Sequence, residues 1–286
     1  AFKPFVYAAA LDLGFSPNTT VTDEPTCWDV PGSGEWCPQN YTNDYRGTVT
    51  LTEALARSLN IPAVKVFDRV GREAVANIAS DFGIESDLAV GPALALGTSE
   101  STLLEMTAAY AGILNGGSSV QPYGLIELKL KGEEQPLLEQ EGGIGERVIA
   151  EPAARQLVYM MTQVIERGTS TRAKLPDGRP AAGKSGTTQA ARDAWFIGFT
   201  ADYVAGIWIG YDDNTPLSGV TGGGLPAEIW KETMTRIHQD LPVRQLPMTI
   251  PDNVAQRPVP QRQRQNGSDN AVERVILNVL DEIFGR

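Results

Sequence analysis

The sequence predicts an α/β fold of the α+β type, in which helices accompany an antiparallel sheet. The clearest strands are 194–199 and 204–209, two apolar and aromatic-rich runs that the short polar segment 200–203 joins as a hairpin. Helices are predicted from apolar periodicity and from the glycines and prolines that bound the periodic stretches. The length of 286 residues and the 42% hydrophobic content suffice for one large domain or two modest ones.

The first predicted helix covers residues 1–14 and ends at Gly14. Proline is tolerated in the first turn of a helix, because the N–H groups there have no partner within the helix. Pro4 therefore predicts that this helix begins at or just before Ala1. A turn-rich loop over 15–47, which contains both cysteines, is predicted to follow.

Boundary signals predict the other helices. Thr50 followed by Glu53 has the pattern of a capping box, in which each side chain satisfies a backbone N–H of the first turn. The predicted helices after the first are 50–57, 62–71, 72–82, 99–114, 152–167 and 225–238. Alternation of apolar and polar residues over 123–131 predicts a further strand.

Composition divides the chain into three predicted segments. Residues 1–242 are expected to form the folded domain, and 243–268 have the Pro/Gln/Arg-rich composition of a linker. Residues 269–286 are predicted to contain an amphipathic helix. Its apolar side comprises Val272, Val275, Ile276, Val279, Leu280 and Ile283. We expect this helix to dock on its own domain, and the alternative is that it binds a partner.

Charge and hydropathy exclude several classes of function. The formal net charge of −11 argues against nucleic acid as a partner, since phosphate backbones are bound by clustered Lys and Arg. No stretch is long and apolar enough to span a bilayer, and none has the pattern of a signal peptide. We therefore expect the sequence, which does not begin with Met, to be a fragment or a processed piece of a longer protein, with any anchor or targeting segment outside it.

Few residues are available for metal or histidine chemistry. Cys27 and Cys37 are the only cysteines, and the sequence leaves open whether they form a disulfide or stay as two thiols, because pairing follows the redox compartment. Two cysteines and one histidine cannot readily form a structural zinc site, so no metal and no cofactor are predicted. His238 follows an apolar helical run and is expected to be partly exposed.

The run Lys-Ser-Gly-Thr-Thr at 184–188 is the most informative of the chain because it fits two motifs. Together with the glycines at 178 and 183 it satisfies G-x-x-x-x-G-K-[ST], the phosphate-binding loop. As K-[ST]-G it satisfies the third motif of serine acyl-transfer enzymes. A phosphate loop needs an apolar strand before it and a helix after it. Because 172–177 is polar and broken by Pro176, and a hairpin follows, nucleotide binding remains a remote alternative.

Ser58-Leu59-Asn60 supplies the Ser-x-Asn element that accompanies such a lysine motif. On a continuous helix residues i and i+2 point apart, so the two side chains could not share a site. Pro62 disfavours helical geometry at Ile61 and is expected to leave a junction from which both side chains reach one cleft. Taken alone, the tripeptide would favour a surface serine followed by a helix cap.

Lys3 lies three positions after whatever residue precedes Ala1 in the protein. The segment AFKPFVY at 1–7 closely resembles the one that follows the nucleophilic serine in class A penicillin-binding proteins, where Ser-x-x-Lys opens a core helix. Further similar stretches lie at 36–41, 95–100, 192–198 and 222–227, so the resemblance covers residues 1 to about 240. The doubled threonine and the Asp-Ala-Trp-Phe sequence after it are typical of the bifunctional class A branch.

The resemblance implies a serine β-lactamase/transpeptidase-like fold, with a mostly antiparallel sheet flanked by helices and an all-helical subregion. It implies that a serine before Ala1 attacks the penultimate D-Ala carbonyl of a peptidoglycan stem peptide. The implied catalytic residues are Lys3 as general base, Ser58 as proton relay, Asn60 as a ligand of the acyl-side amide and Lys184 as a positive charge. The implied substrate-binding residues are Ser185, Gly186, Thr187 and Thr188.

A lysine can act as a base only if its pKa is lowered. The position of Lys3 in a first helical turn, the nearby Lys184 and partial burial are each expected to lower that pKa. Ser185 stands where many relatives have threonine, a change that keeps the hydroxyl.

The resemblance also implies the setting in which the protein works. Peptidoglycan stem peptides and β-lactams are the implied ligands, cell-wall synthesis proteins are possible partners, and the extracytoplasmic face of the bacterial inner membrane is the implied location. A glycosyltransferase domain and an anchor are expected upstream. A chain that starts at Ala1 is expected to be inactive for lack of the serine. The alternative is a non-catalytic scaffold domain that binds peptides or β-lactams, in which the residue before Ala1 is not serine.

Overall fold

The computed structural model describes residues 1–140, 142–188 and 191–252. The predicted linker beyond residue 252 and the predicted helix in 269–286 lie outside the described residues. The helices are α1 Lys3–Asp12, α2 Leu51–Ala56, α3 Asn60–Val70, α4 Arg72–Asp81, α5 Leu103–Leu114, α6 Glu151–Glu166 and α7 Leu225–Ile237. Two short 3₁₀ helices span Pro92–Leu96 and Thr171–Ala173.

The described strands form small antiparallel sheets. They are β1 Thr20–Asp23, β2 Trp28–Val30, β3 Gly34–Trp36, β4 Gly47–Thr50, β5 Ser118–Val120, β6 Glu127–Leu128, β7 Leu138–Glu139, β8 Ile144–Arg147, β9 Ala182–Thr187, β10 Asp193–Phe199 and β11 Val204–Gly210. The two-stranded pairs are β1 with β4, β2 with β3, β5 with β8 and β6 with β7. The three-stranded sheet has the order β11-β10-β9. The α+β prediction is confirmed.

The three-stranded sheet carries the lysine motif. The predicted hairpin is confirmed as β10 and β11, and β9 joins β10 antiparallel, with Lys184 opposite Ile197 and Ser185 opposite Phe196. A phosphate-binding loop requires the strand before it to lead into a helix. Here Lys184 and Ser185 lie inside β9, which pairs with β10 and does not open a helix, so the nucleotide-binding alternative has no structural support.

Helix α1 lies in the centre of the molecule. Nine of its ten residues, Lys3 through Leu11, are buried, as expected for a helix that is apolar on all sides. It packs against α3, α4 and α6. The prediction that it begins at or before Ala1 is wrong: its N-cap is Phe2 and Pro4 occupies the second helical position, where a missing N–H still costs no hydrogen bond.

The apolar interior consists of two clusters on opposite sides of the sheet. The larger contains α1 and α6 and includes Ala182, Ile197 and Phe199 of the sheet. The smaller is built around Trp230 of α7, which packs edge-on against Phe196 and whose indole N–H donates to the Gly198 carbonyl at 3.1 Å. The sheet therefore lies between two apolar layers.

Cap signals located some helices well and misplaced others. The Thr50 hydroxyl accepts from the Glu53 N–H at 3.1 Å, which confirms the predicted start of α2. Helix α5 begins at Leu103 rather than near 99, because Thr102 and Glu105 form a reciprocal capping box. The predicted strand 123–131 is largely wrong, since only Glu127 and Leu128 pair, and most of its apolar side chains are exposed.

The cysteines and the histidine are both defined by the structure. Cys27 and Cys37 form a disulfide that closes the β2–β3 hairpin. The expectation of a partly exposed His238 is wrong: only 3% of the residue is exposed. Its ring lies 2.8 Å from the Thr200 hydroxyl and 2.7 Å from the Met234 carbonyl, so both nitrogens have partners.

Candidate active site

The four residues that the sequence predicts as catalytic lie together in the structure. The Lys3 ammonium donates to the Ser58 carbonyl at 2.7 Å and to Asn60 Oδ1 at 2.6 Å, and lies 3.2 Å from Ser58 Oγ. Lys184 Nζ donates to Ser58 Oγ at 2.9 Å and to the Ser185 carbonyl at 2.8 Å. Two lysines from separate elements, α1 and β9, thus converge on one hydroxyl.

Ser58 reaches this position because α2 ends at a left-handed residue. The Ser58 N–H donates to the Leu55 carbonyl at 3.0 Å and the Leu59 N–H to the Ala54 carbonyl at 2.9 Å, which is the pattern of a Schellman motif. Glycine usually occupies the left-handed position of that motif, and here it is Ser58, with φ of 57°. Non-glycine residues in this region are strained and concentrate at functional sites.

The predicted origin of the junction needs a correction. Ile61 is helical, and α3 begins already at Asn60, so that Pro62 falls within the first helical turn, where it is tolerated. The opening between the two helices therefore comes from the left-handed Ser58 and the extended Leu59, not from a non-helical Ile61. The expected consequence, that the side chains of Ser58 and Asn60 share one site, is what the structure shows, since both lie beside Lys3 Nζ.

Burial dominates the electrostatics of the two lysines. Burial, and then the charge of Lys184, lower the pKa of Lys3 well below its usual value. Burial lowers the pKa of Lys184 to about 7. The oxygens that accept from the two ammonium groups are all neutral, so neither lysine gains the stabilisation that a carboxylate would provide. A neutral amine is therefore accessible near pH 7 at this site.

The predicted substrate-binding residues follow along β9 but do not all join the lysines. Ser185 Oγ lies 3.0 Å from Thr169 Oγ1, and Thr187 Oγ1 accepts from the Gly222 N–H at 3.0 Å. The hydroxyl of Thr188 instead accepts from the backbone N–H of Asp193, at 2.8 Å, beside the entry to β10. Ser185 and Thr187 thus contact segments that pack beside β9, at Thr169 and Gly222. The Thr188 hydroxyl is instead used by Asp193, where β10 begins.

The start of the chain lies against this strand. A Cβ placed on Gly186 would come within 2.5 Å of the Ala1 nitrogen, so only glycine permits this approach. Tyr110 of α5 donates from its hydroxyl to the Ala1 carbonyl at 2.6 Å. The backbone position that precedes Ala1 is therefore beside β9 and three residues before Lys3.

Sequence reasoning missed Thr169 and Tyr110 as parts of this region. Thr169 follows Gly168, where an added Cβ would lie 2.2 Å from the Ala56 carbonyl, so this turn packs directly against the end of α2. Neither residue lies in a recognisable motif, and only tertiary contact brings them here. Gly168 was the one sequence signal for a close approach beside Thr169.

The described residues offer few groups that could bind a metal ion and no helix suited to cross a membrane. Cys27, Glu35 and Cys37 are the one described group with metal-ligand spacing, and the disulfide removes both thiolates. Within the described part of the chain, the helices lack the combined length and apolarity needed to cross a membrane.

Comparison with known proteins places these observations in a family. The family description "Penicillin binding protein transpeptidase domain" matches residues 1–235. Penicillin-binding protein 1A of Aquifex aeolicus is 37% identical over 236 residues, which are 82% of this chain and 32% of that protein. The relative from Rickettsia conorii is 32% identical over 275 residues, and 34% of its length is covered. The chain therefore spans about a third of the length of these curated relatives.

Solved structures agree with the sequence matches. The crystal structure of penicillin-binding protein 1A from Haemophilus influenzae is similar, with a TM-score of 0.77 at 30% identity, covering 85% of this chain and 42% of that one. The PonA1 protein from Mycobacterium tuberculosis, solved in complex with penicillin V, has a TM-score of 0.75 at 26% identity, covering 87% and 71%.

Proposed function

The chain belongs to the family of penicillin-binding protein transpeptidase domains, and from this premise we propose that its protein is a D,D-transpeptidase that cross-links peptidoglycan stem peptides and binds penicillin. The observation that carries the proposal is the convergence of Lys3 and Lys184 on the Ser58 hydroxyl, at 3.2 and 2.9 Å. The nucleophile in this proposal is a serine at the position before Ala1, which the contact between Ala1 and Gly186 holds beside β9.

Acylation is the first proposed step. The serine oxygen attacks the penultimate D-Ala carbonyl while its proton passes to the neutral amine of Lys3. The proton then moves through the Ser58 hydroxyl to the nitrogen of the leaving D-Ala, as the C–N bond breaks and the acyl-ester remains. The lowered pKa of Lys3 supports this order, because a permanently charged Lys3 could not accept the proton.

Substrate binding is assigned to the strand. Lys184 supplies positive potential for the substrate carboxylate, and the hydroxyls of Ser185 and Thr187 hold that carboxylate. Asn60 binds the amide on the acyl side and orients Lys3 through Oδ1. The N–H of Thr187 and that of the nucleophile form the oxyanion hole, in which the loss of one donor costs about 2.7 to 4 kcal/mol. Gly186 and Thr188 line the same strand.

Deacylation completes the proposed cycle. The amine of a second stem peptide attacks the ester carbonyl, Lys3 takes its proton, and the serine leaves with a proton returned through Ser58. A cross-link and a free enzyme result. β-Lactams enter the same path as far as the acyl-enzyme, in agreement with the penicillin V complex of the PonA1 protein, which has a similar fold.

The wider setting is proposed from the class A relatives. The proposed catalytic unit is residues 1–242, and residues 243–252 of the predicted linker pack against it, because Leu246 is buried in the larger apolar cluster and the Thr249 N–H donates to the Arg155 carbonyl at 3.1 Å. The complete protein works at the extracytoplasmic face of the inner membrane, with an upstream anchor, an upstream glycosyltransferase domain and cell-wall synthesis partners.

Labelling with a fluorescent penicillin tests the proposal. The protein with serine before Ala1 should take up one label, detected on a denaturing gel and as a mass increase of the intact chain. A version that begins at Ala1, and a Lys3→Ala variant of the serine-containing one, should stay unlabelled. Lys174→Ala is a matched control because Lys174 is exposed and pairs with Glu166. Labelling of the version that begins at Ala1 would refute the nucleophile, and a folded but unlabelled serine-containing protein would favour the scaffold alternative.

A further inference from the structure

Asn60, which binds Lys3, is itself held by a loop from another part of the chain. Its backbone N–H donates to Asn40 Oδ1 at 2.8 Å, and its side-chain Nδ2 donates to the Gln39 carbonyl at 2.7 Å. Helix α3 starts after Leu59, whose side chain cannot cap it, so Asn40 satisfies an N–H that would otherwise lack a partner. With Nδ2 directed to Gln39, the Asn60 amide has its oxygen left for Lys3.

Asn40 in turn has its amide fixed by a buried carboxylate. Its Nδ2 lies 2.9 Å from Asp23 Oδ1 and 3.0 Å from Oδ2, and also donates to the Asp44 carbonyl at 2.9 Å. Asp23 is fully buried and Asn40 is 3% exposed. The remaining described partner of Asp23 is the Arg46 N–H, at 3.0 Å. Every hydrogen-bonding atom of the Asn40 side chain is therefore engaged.

We propose that Asp23 and Asn40 are positioning residues for Lys3, acting through Asn60. Asp23 fixes which way the Asn40 amide faces, Asn40 fixes the first residue of α3, and Asn60 fixes the Lys3 nitrogen. None of the three needs to change its protonation state for this role. The inference rests on the proposed function, since it assigns these residues to the orientation of the proposed base.

The alternative is that Asp23 and Asn40 have a purely structural role. Their hydrogen bonds satisfy a buried carboxylate and also attach the loop that contains Asn40 to β1. The two roles predict different effects of removing the Asn40 side chain. If Asn60 turns away, the Lys3 ammonium loses an acceptor, so its pKa falls further and the base is misplaced. A structural role alone would lower stability and leave the pH dependence of acylation unchanged.

The test uses the protein with serine before Ala1 and follows its acylation by a fluorescent penicillin against pH. Asn40→Ala should slow acylation by about 100-fold, the effect of displacing a catalytic group by roughly an ångström. The acid limb of the pH profile should move to lower pH. Thr52→Val is the matched control, because it removes another buried hydrogen bond, from Thr52 to the Pro17 carbonyl at 2.9 Å, and Thr52 has no described hydrogen bond to Asp23 or Asn40. It should change neither rate nor profile.

A double variant guards against a failure to fold. Asp23→Asn combined with Asn40→Asp exchanges donor and acceptor within the pair and keeps an oxygen for the Asn60 N–H, while the hydrogen bond to the Asp44 carbonyl is lost equally in this variant and in Asn40→Asp alone. It should acylate at least tenfold faster than Asn40→Asp alone, in which two carboxylates face each other. Equal rates for these two variants would overturn the inference, and so would an Asn40→Ala rate within a factor of three of the Thr52→Val rate.

Hydrogen exchange separates this inference from the proposed function. The Asn60 amide should exchange faster in Asn40→Ala than in the unaltered protein, whether or not penicillin reacts. If the protein binds no penicillin but shows this loss of protection, the proposed function is refuted, whereas the hydrogen bond from the Asn60 N–H to Asn40 is supported. Unchanged protection of Asn60 in a protein that is acylated normally refutes the inference alone.

Discussion

Replacement of Lys184 by methionine should change how stability depends on pH. Lys184 is buried, and its pKa is lowered from 10.5 to about 7 by that burial. Between these two values the unfolded chain carries a proton on this lysine that the folded protein lacks. Stability rises with pH wherever the unfolded state binds more protons, so the free energy of unfolding should increase through this window. Lys184→Met removes this contribution and keeps an apolar chain of similar length.

The size of the effect follows from the two pKa values. Between pH 7 and pH 9.5 the contribution of Lys184 to the free energy of unfolding should rise by about 3 kcal/mol. Lys3 acts in the same direction, since its pKa is also lowered. The range stops at pH 9.5 because burial raises the pKa values of Tyr7 and Tyr110, and unfolded tyrosines begin to titrate above it.

Urea unfolding followed by circular dichroism measures the prediction at four or five pH values in this range. The unaltered protein should gain more stability with pH than Lys184→Met, by about 3 kcal/mol across the window. Lys174→Met, at an exposed lysine, should follow the unaltered protein. Parallel curves for the unaltered protein and Lys184→Met would refute the reasoning, because they would mean that the buried ammonium keeps its ordinary pKa.

Three further outcomes are expected. Ser58→Gly should be more stable than Ser58→Ala by about 1 kcal/mol, because φ is 57° at this residue and glycine adopts that value without strain. Neither variant should be acylated. Equal free energies of unfolding would argue against strain at Ser58. Gly186→Ala should slow penicillin labelling by about 100-fold, since the new methyl meets the Ala1 nitrogen at 2.5 Å, and an unchanged rate would show that the approach is not required. Replacement of both Cys27 and Cys37 by serine should lower the free energy of unfolding by about 2 to 3 kcal/mol, measured in urea, and reductant should then have no further effect on that variant.

Local signals in the sequence located much of the fold. The hairpin was predictable because two apolar, aromatic-rich runs are joined by a short polar segment, which is typical of paired strands. The start of α2 was predictable because Thr50 and Glu53 interact within one turn. The four candidate catalytic residues could be named only through motifs and family resemblance, since no local rule brings Lys3, Ser58 and Lys184 to one point.

The features that the sequence did not predict share a physical cause: each is determined by tertiary contacts. The left-handed backbone of Ser58 is unusual for a serine and follows from the packing of the α2–α3 junction. His238 is buried because Thr200 provides a partner from a distant turn, which periodicity cannot reveal. The role of Asn40 depends on a carboxylate 17 positions earlier in the chain. The strand predicted at 123–131 alternates in polarity but has no apolar layer to pack against.

The placement of β9 between two apolar clusters has a dynamic consequence. Ala182 on this strand belongs to the larger cluster, while Ala181, which precedes it, and the facing Phe196 belong to the smaller one. Any displacement of β9 would expose apolar surface on both faces at once, so the β9 amide hydrogens that bond to β10 should be among the slowest of the domain to exchange. Lys184 is thus attached to a strand that is costly to move, so we expect room for an incoming peptide to come from movement at the Ser58 junction.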